Sequence, residues 1–170
     1  MKLLFISDIH GDYECMRIML DNINYENPDS IIVLGDVYSH GFNDKEIAEI
    51  LNGLKNKLLV IRGNCDRQTD EIIGEFKFHD SLTLNYNRKI IFLTHGNVYN
   101  MDYLPYLDFD IMIYGHFHEH FIKKQDGKIF ASPGSISKPR NNSKNSYMII
   151  EKNKIILKDL NGNLIEQMEF

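Results

Sequence analysis

Short apolar runs recur along the chain, and each stops at a polar residue or a glycine. Lys2–Ser7, Ile31–Leu34, Leu58–Ile61, Ile90–Leu93 and Ile111–Tyr114 are four to six residues long, the length of a buried strand rather than a helix. Between the first three runs the apolar spacing becomes helical. Met16, Met19, Leu20 and Ile23 share one face of Tyr13–Ile23. Ile47, Ile50, Leu51 and Leu54 share one face of a stretch that Asp44 is placed to cap. Strand–helix–strand alternation of this kind predicts parallel strands joined by right-handed crossovers.

The second half reads differently. Runs at 82–86, 89–94, 111–114, 120–124, 128–131, 146–151, 154–159 and 163–168 are short and β-like. Asn85-Tyr86-Asn87-Arg88, Gln125-Asp126-Gly127, Lys152-Asn153 and Asn161-Gly162-Asn163 separate them and mark hairpins. Two sheets packed face to face, with helices outside, satisfy both halves. There is no long linker or repeat, so residues 1–170 are expected to form one domain. Ser135–Ser146 is polar and rich in Asn, Ser and Lys, and is the stretch expected to form a mobile loop.

Composition narrows the partners. Charged residues make up 25% and the net charge is −5, a balance that argues against broad binding to nucleic acid or anionic membrane. A small phosphorylated substrate stays compatible, because bound cations would reverse the local field. Cys15 and Cys65 form no CxxC pair and no disulfide framework, which fits a reducing compartment. The apolar start is too short for a signal sequence and no run approaches a membrane span. A cytoplasmic location is expected; the oligomeric state is open, a homo-oligomer included.

The candidate chemistry lies at the ends of the runs. Polar groups just past the strand ends of an α/β sheet converge on one edge. Asp8 and His10 follow the first run, Asp36 the second, Asn64 the third, His95 the fourth, and His116 and His118 the fifth. Alternation in Asp8-Ile9-His10 and in His116-Phe117-His118 aims each pair to one side if the chain stays extended. The two oxygens of Asp36 can bridge two cations, and Asn64 offers a neutral oxygen. Seven nitrogen and oxygen ligands exceed the need of one ion and suit two divalent ions sharing a carboxylate. Asp66 is expected to cap the next helix or to hold a neighbouring ligand. Cys65 reads as a buried small hydrophobe, a thiolate ligand or a proton donor. His120 begins the next strand. His40 and His79 read as loop residues, although His40 follows Asp36 closely enough to approach a substrate.

Each motif is common by itself. In series, as D-x-H, G-D, G-N, H-G and G-H-x-H, they resemble the calcineurin-like metallophosphoesterase superfamily from residue 1 to about residue 140. The short length, Gly63-Asn64-Cys65-Asp66 and Ser132-Pro133-Gly134-Ser135 are similar to the compact YfcE-type phosphodiesterases, where Asn is usual at the place of Ser132. The resemblance implies an α/β (α+β) fold, a four-layer αββα sandwich of two mixed sheets flanked by helices. It implies that Asp8, His10, Asp36 and His118 hold one metal and that Asp36, Asn64, His95 and His116 hold the second. Asp36, Asn64 and His95 are then the catalytic positions, and Asn64, Cys65 and His40 the candidates for substrate contact. A hydroxide shared by two ions roughly 3.5–4 Å apart would attack a small phosphodiester in line. Imidazole with carboxylate and amide oxygens suits manganese, iron, nickel or zinc more than magnesium alone, and manganese is the expected activating ion. Cys65 replaces a family histidine thought to assist the phosphate or leaving group, and a thiol is a weaker donor. Diesters with acidic leaving groups are therefore expected to be preferred over alkyl monoesters, with His40 or water left as the acid.

Three rival readings are weighed against this one. A retromer-subunit-like scaffold would use the fold for protein contacts with an altered metal site, whereas all seven positions here keep coordinating side chains. A nuclease would need a basic stripe, and Ser137–Lys144 is too short a one. A structural zinc site takes four ligands, often cysteines, which seven ligands and one nearby cysteine do not match.

Overall fold

The computed structural model describes residues 1–170. The apolar runs of the first half become β1 (Lys2–Ile6), β2 (Ser30–Val33) and β3 (Leu58–Ile61), separated by helices α1 (Tyr13–Glu26) and α2 (Asp44–Gly53). A 3-10 turn at Gln68–Ile72 and a two-residue β4 (Phe78–His79) follow. Neither is long enough to leave a period in the sequence. The second half supplies β5 (Ser81–Tyr86), β6 (Lys89–Thr94), β7 (Ile111–Ile113), β8 (His120–Gln125), β9 (Lys128–Pro133), β10 (Ser146–Glu151), β11 (Lys154–Asp159) and β12 (Leu164–Glu169).

These strands sort into a seven-stranded sheet, ordered β12-β11-β10-β1-β2-β3-β4, and a five-stranded sheet, ordered β5-β6-β7-β9-β8. β1 to β4 pair in parallel, as the crossover argument requires, and β10 runs antiparallel against β1. In the second sheet β6, β7 and β9 are parallel, and the hairpin strands β5 and β8 are antiparallel edges. Both sheets are therefore mixed.

The alternation of each strand sorts its side chains between two cores. Leu3, Phe5, Ile32 and Leu34 of the first sheet meet Ile91, Leu93, Ile111 and Ile113 of the second. Leu4, Ile6, Ile31 and Val33 point the other way, against Met16, Met19 and Ile23 of α1 and Ile47 and Leu51 of α2. With both faces covered, β1 and β2 must be apolar throughout, which is why they read as continuous runs. Each fully buried Leu, Ile or Phe contributes roughly 1.5–3 kcal/mol. The outer face of the second sheet, carrying Phe92, Met112 and Phe130, is covered by Phe109 and Met101 from the irregular stretch 95–110. The fourth layer of the sandwich is thus built from irregular chain.

Three local expectations change. Asn43 precedes α2 as its cap, and Asp44 lies in the first turn, where its carboxylate accepts from the Ser39 and Gly41 amides instead. His79 is a strand residue paired with Ile61. The start of Ser135–Ser146 is tightly bonded: Ser135 and Ile136 are buried, and the Ser135 hydroxyl accepts from the amides of Ser137 and Lys138. A serine oxygen closing its own turn in this way supports local order that polar composition does not reveal.

Candidate metal centre

Five of the seven predicted ligands have left-handed backbone. Their φ angles are 53° at Asp8, 47° at His10, 54° at Asp36, 68° at His116 and 63° at His118. L-residues avoid this region, Asp and His less than most, and each such position costs of order 1–3 kcal/mol that the surroundings must hold. The extended alternation expected for Asp8-Ile9-His10 and His116-Phe117-His118 is overturned. β1 ends at Ile6 and β7 at Ile113, and the paired side chains converge through sharp turns instead.

The turns are held from several elements. The amides of Asp8, His10 and Gly11 donate to the carbonyls of Gly35, Asp36 and Val37 at 3.1, 2.9 and 3.0 Å, binding the first loop to the second. Asp66 is buried, and its carboxylate accepts from the amides of Asp36, Val37 and Gly63, each at 2.8 Å. Of its two expected roles, it performs the second, holding the ligand-bearing loop. The hydroxyls of Ser135 and Ser137 donate to the Asp8 carbonyl at 2.7 and 3.0 Å. Gly63 and Gly115 let the loops touch, since a Cβ on Gly63 would overlap the Asp36 carboxylate and one on Gly115 the Ser7 hydroxyl.

Asp36 is nearly buried at 3% exposure, and its two oxygens face different imidazoles. Oδ1 lies 3.5 Å from His95 Nε2 and Oδ2 lies 3.7 Å from His10 Nε2. Asp8 is wholly buried, and its Oδ1 has no hydrogen-bond donor. That oxygen lies 3.4 Å from His118 Nε2 and 3.9 Å from His10 Nε2. The Nε2 atoms of His10 and His118 are 3.2 Å apart. Ligand atoms of Asp8, His10 and His118 lie within 4.8 Å of one another, as do those of Asp8, Asp36 and His95, and of His10, Asp36 and Cys65. Asn64 Oδ1 faces His95 Nε2 at 3.1 Å, and the His116 ring stands edge-on to the His95 ring with centroids 5.1 Å apart. The seven predicted ligands are thus brought to one edge of the sandwich.

The tautomers follow from the backbone. Nδ1 of His95 meets the Leu34 carbonyl at 2.6 Å, and Nδ1 of His118 meets the Lys138 carbonyl at 2.6 Å. A carbonyl only accepts, so both Nδ1 atoms carry a proton, and each Nε2 is left facing carboxylate or amide oxygens. Lone pairs facing lone pairs repel unless a cation lies between them. Burial pushes the Asp8 carboxyl up to about 6, against the pull of His95 and His118. Burial also resists charge on Asp36, but His95 and the Cys65 amide outweigh it and hold this carboxyl below the usual range. Burial lowers His10 to about 4, so its ring is neutral at neutral pH. At His95 burial opposes the charge, yet Asp36 and Asp8 raise the imidazole above its ordinary value: a proton there meets part of the demand for positive charge. An orphaned buried carboxylate oxygen and convergent imidazoles, two of them braced at their far nitrogens, fit the needs of a divalent cation.

Two predicted substrate contacts lie at the rim. Cys65 is exposed as a residue, and partial desolvation of its thiol together with the neighbouring Asp36 carboxylate pushes it up to about 11. His40 is turned to Asp70, with Nε2 3.1 Å from Oδ2. The supporting residues Ser135, Ser137 and Lys138 were not legible as such, because they act through a hydroxyl or a main-chain carbonyl.

A two-sheet sandwich with buried carboxylates and imidazoles gathered at one edge defines a metallohydrolase. The calcineurin-like phosphoesterase superfamily domain matches residues 1–154, and the chain belongs to that superfamily. It is a metal-dependent phosphoesterase using divalent ions. It is similar to the phosphodiesterase YfcE of Escherichia coli strain K12, 31% identical over an alignment 180 positions long that takes in 97% of this chain and 95% of that one. The solved structure of that E. coli phosphoesterase superposes with a TM-score of 0.93 at 27% identity, covering 99% of both chains. Vps29 of Entamoeba histolytica, solved with zinc, shares the fold at a TM-score of 0.72 and 23% identity, covering 99% of each chain.

Proposed function

We propose that the protein is a dinuclear phosphodiesterase, with Asp8, His10, Asp36 and His118 holding one cation and Asp36, Asn64, His95 and His116 the other. The observation that carries this is the division of Asp36, one oxygen toward His95 and the other toward His10. Such ions act as Lewis acids and lower the pKa of water near the phosphorus. Manganese is the proposed activating ion on the softness of the donors. The chain's own residues do the positioning: Asp66 fixes Asp36, the Leu34 and Lys138 carbonyls fix His95 and His118, and Ser135 and Ser137 fix Asp8. Asn64 and His95, which face each other at 3.1 Å, are the residues proposed to act beside the phosphoryl group. A diester is favoured over a monoester, because the thiol of Cys65 is a poor donor to a second phosphate charge. Residues 1–170 are read as one domain, since β10–β12 complete the sheet begun by β1. No helix is long and apolar enough to cross a membrane, and the free cysteines support a reducing compartment.

The test is Asp36→Asn, with metal content and hydrolysis of bis(p-nitrophenyl) phosphate measured in excess manganese. The expected result is two bound ions per wild-type chain, with loss of bound metal and about a thousandfold loss of turnover in the variant. Retained turnover in Asp36→Asn would refute the bridging role.

A further inference from the structure

We propose that His40, held by Asp70, donates the proton to the leaving oxygen of the diester, and that the recess beside it receives the leaving group. This rests on the phosphodiesterase reading above and deepens it. Two loops carry the argument. The β2–α2 loop starts with Asp36 and reaches His40 four residues on. The loop after β3 carries Asn64 and Cys65 and runs on to Asp70. They are joined near the metal centre by Asp66 on Asp36 and Val37, and by the Cys65 amide on Asp36 at 2.9 Å. The His40–Asp70 pair joins them again at their outer edge. The β2–α2 loop also passes the Asp8-Ile9-His10 turn, where the Gly11 amide donates to Val37 and the Ser39 hydroxyl stands against Gly11.

Between the two loops lies a recess of about 620 Å³, lined by His40, Phe42, Lys45, Arg67, Asp70 and Ile72 among others. Phe42 is 102% exposed and Ile72 85% exposed, apolar surface with no packing role in the fold. The acidic groups there are already engaged, Asp44 by the amides of Ser39 and Gly41, and Asp70 by the Arg67 amide at 2.7 Å and by His40. Lys45 and Arg67 form no ion pair. An apolar wall with free cations suits an aromatic leaving group with its own negative charge, of nucleotide type.

His40 also has a left-handed backbone, φ 59°. The proton balance is simple. Nε2–H donates to the Asp70 carboxylate at 3.1 Å throughout, and the proton given up is the one on Nδ1, on the other side of the ring. Water supplies the oxygen of the new P–O bond and releases one proton to solvent. The P–O bond to the leaving group breaks with its electron pair on the leaving oxygen, and that oxygen takes the proton from Nδ1. His40 is left neutral and regains its proton from solvent. This provides the acid that Cys65, a poor donor, does not.

The experiment compares wild type, His40→Gln and Asp70→Asn on methyl aryl phosphates running from the p-nitrophenyl to the unsubstituted phenyl ester, in excess manganese. Glutamine keeps a donor for Asp70 and so keeps the tether, but it cannot give up a proton. His40→Gln is expected to change kcat/KM for the p-nitrophenyl ester less than about threefold and to lower that for the phenyl ester about a hundredfold. The dependence on leaving-group acidity steepens accordingly, and Asp70→Asn moves the same way by less. An equal loss across the series, or no loss, overturns the acid role. The slope reads His40 and the Asp36→Asn experiment reads the metal centre, so either can fail without the other.

Discussion

At the scale of single residues, the centre is made by backbone conformations that most side chains refuse. Asp8, His10, Asp36, His116 and His118 all sit at positive φ, and the loops holding them there cross without room for a methyl group. Gly115→Ala should therefore act through Ser7 and Asp8, whose side chains occupy the place of the new Cβ. The expected cost is about 1–3 kcal/mol of stability, with a 10–100-fold loss of metal affinity because Asp8 is displaced. Gly53→Ala is the contrasting case. Its Cβ would meet nothing within 4 Å at the end of α2, and it should be neutral or stabilising by roughly 0.5–1 kcal/mol. Urea unfolding and manganese titration of both variants read this difference; equal effects would show that crowding at Gly115 is not what sets the geometry.

At the scale of elements, β1 is tied to its neighbours by Glu26 at the end of α1. Its carboxylate takes the ammonium groups of Lys158 of β11 at 2.5 Å and Lys2 of β1 at 3.1 Å. Burial works to raise Glu26, and the two lysines outweigh it and hold its carboxyl below the ordinary value. A depressed carboxyl contributes stability above the pKa of the unfolded chain and loses it as pH falls through the folded value. Glu26→Gln should cost about 2 kcal/mol near neutrality, and the gap to wild type should close as the pH drops below 4.5. A gap that persists in acid would assign the effect to packing. The tether was not legible in the sequence, since a glutamate ending an amphipathic helix reads as solvated. The elements themselves were legible wherever an apolar period lasted four residues or more: β1 to β3, α1, α2 and the hairpins. β4 and the 3-10 turn at 68–72 lasted too briefly or lacked a period. That the seven candidate side chains would meet at one edge was legible from their places at run ends. Their geometry was not, because alternation predicts extended chain and left-handed turns leave no mark beyond a nearby glycine.

At the scale of the whole molecule, the metal ions and the fold are coupled through protons. Asp8 ionises at about 6 in the metal-free fold against 3.8 as the ordinary value. The folded state then holds this proton more firmly than the unfolded chain. Its contribution to stability is full below pH 3.8 and is lost as the pH rises through about 6. Burial is the cause, so a cation bound beside Asp8 removes the penalty while displacing the proton. His95, raised by Asp36 and Asp8 against burial, must likewise give up its proton to a metal. His10, lowered to about 4, offers no competition above that pH. The stabilisation by manganese, which grows with the ratio of free ion to its dissociation constant, should therefore be small at pH 5 and rise through pH 6 to a plateau by pH 8. Thermal unfolding of manganese-loaded and chelated protein at fixed free metal measures it as the difference in Tm at each pH. A difference that stays constant from pH 5 to 8 would mean that the ions do not engage Asp8 or His95. A difference that rises would join the buried carboxylate, the braced imidazoles and the strained turns into one device, in which the fold stores the cost of assembling charge that the bound ions relieve.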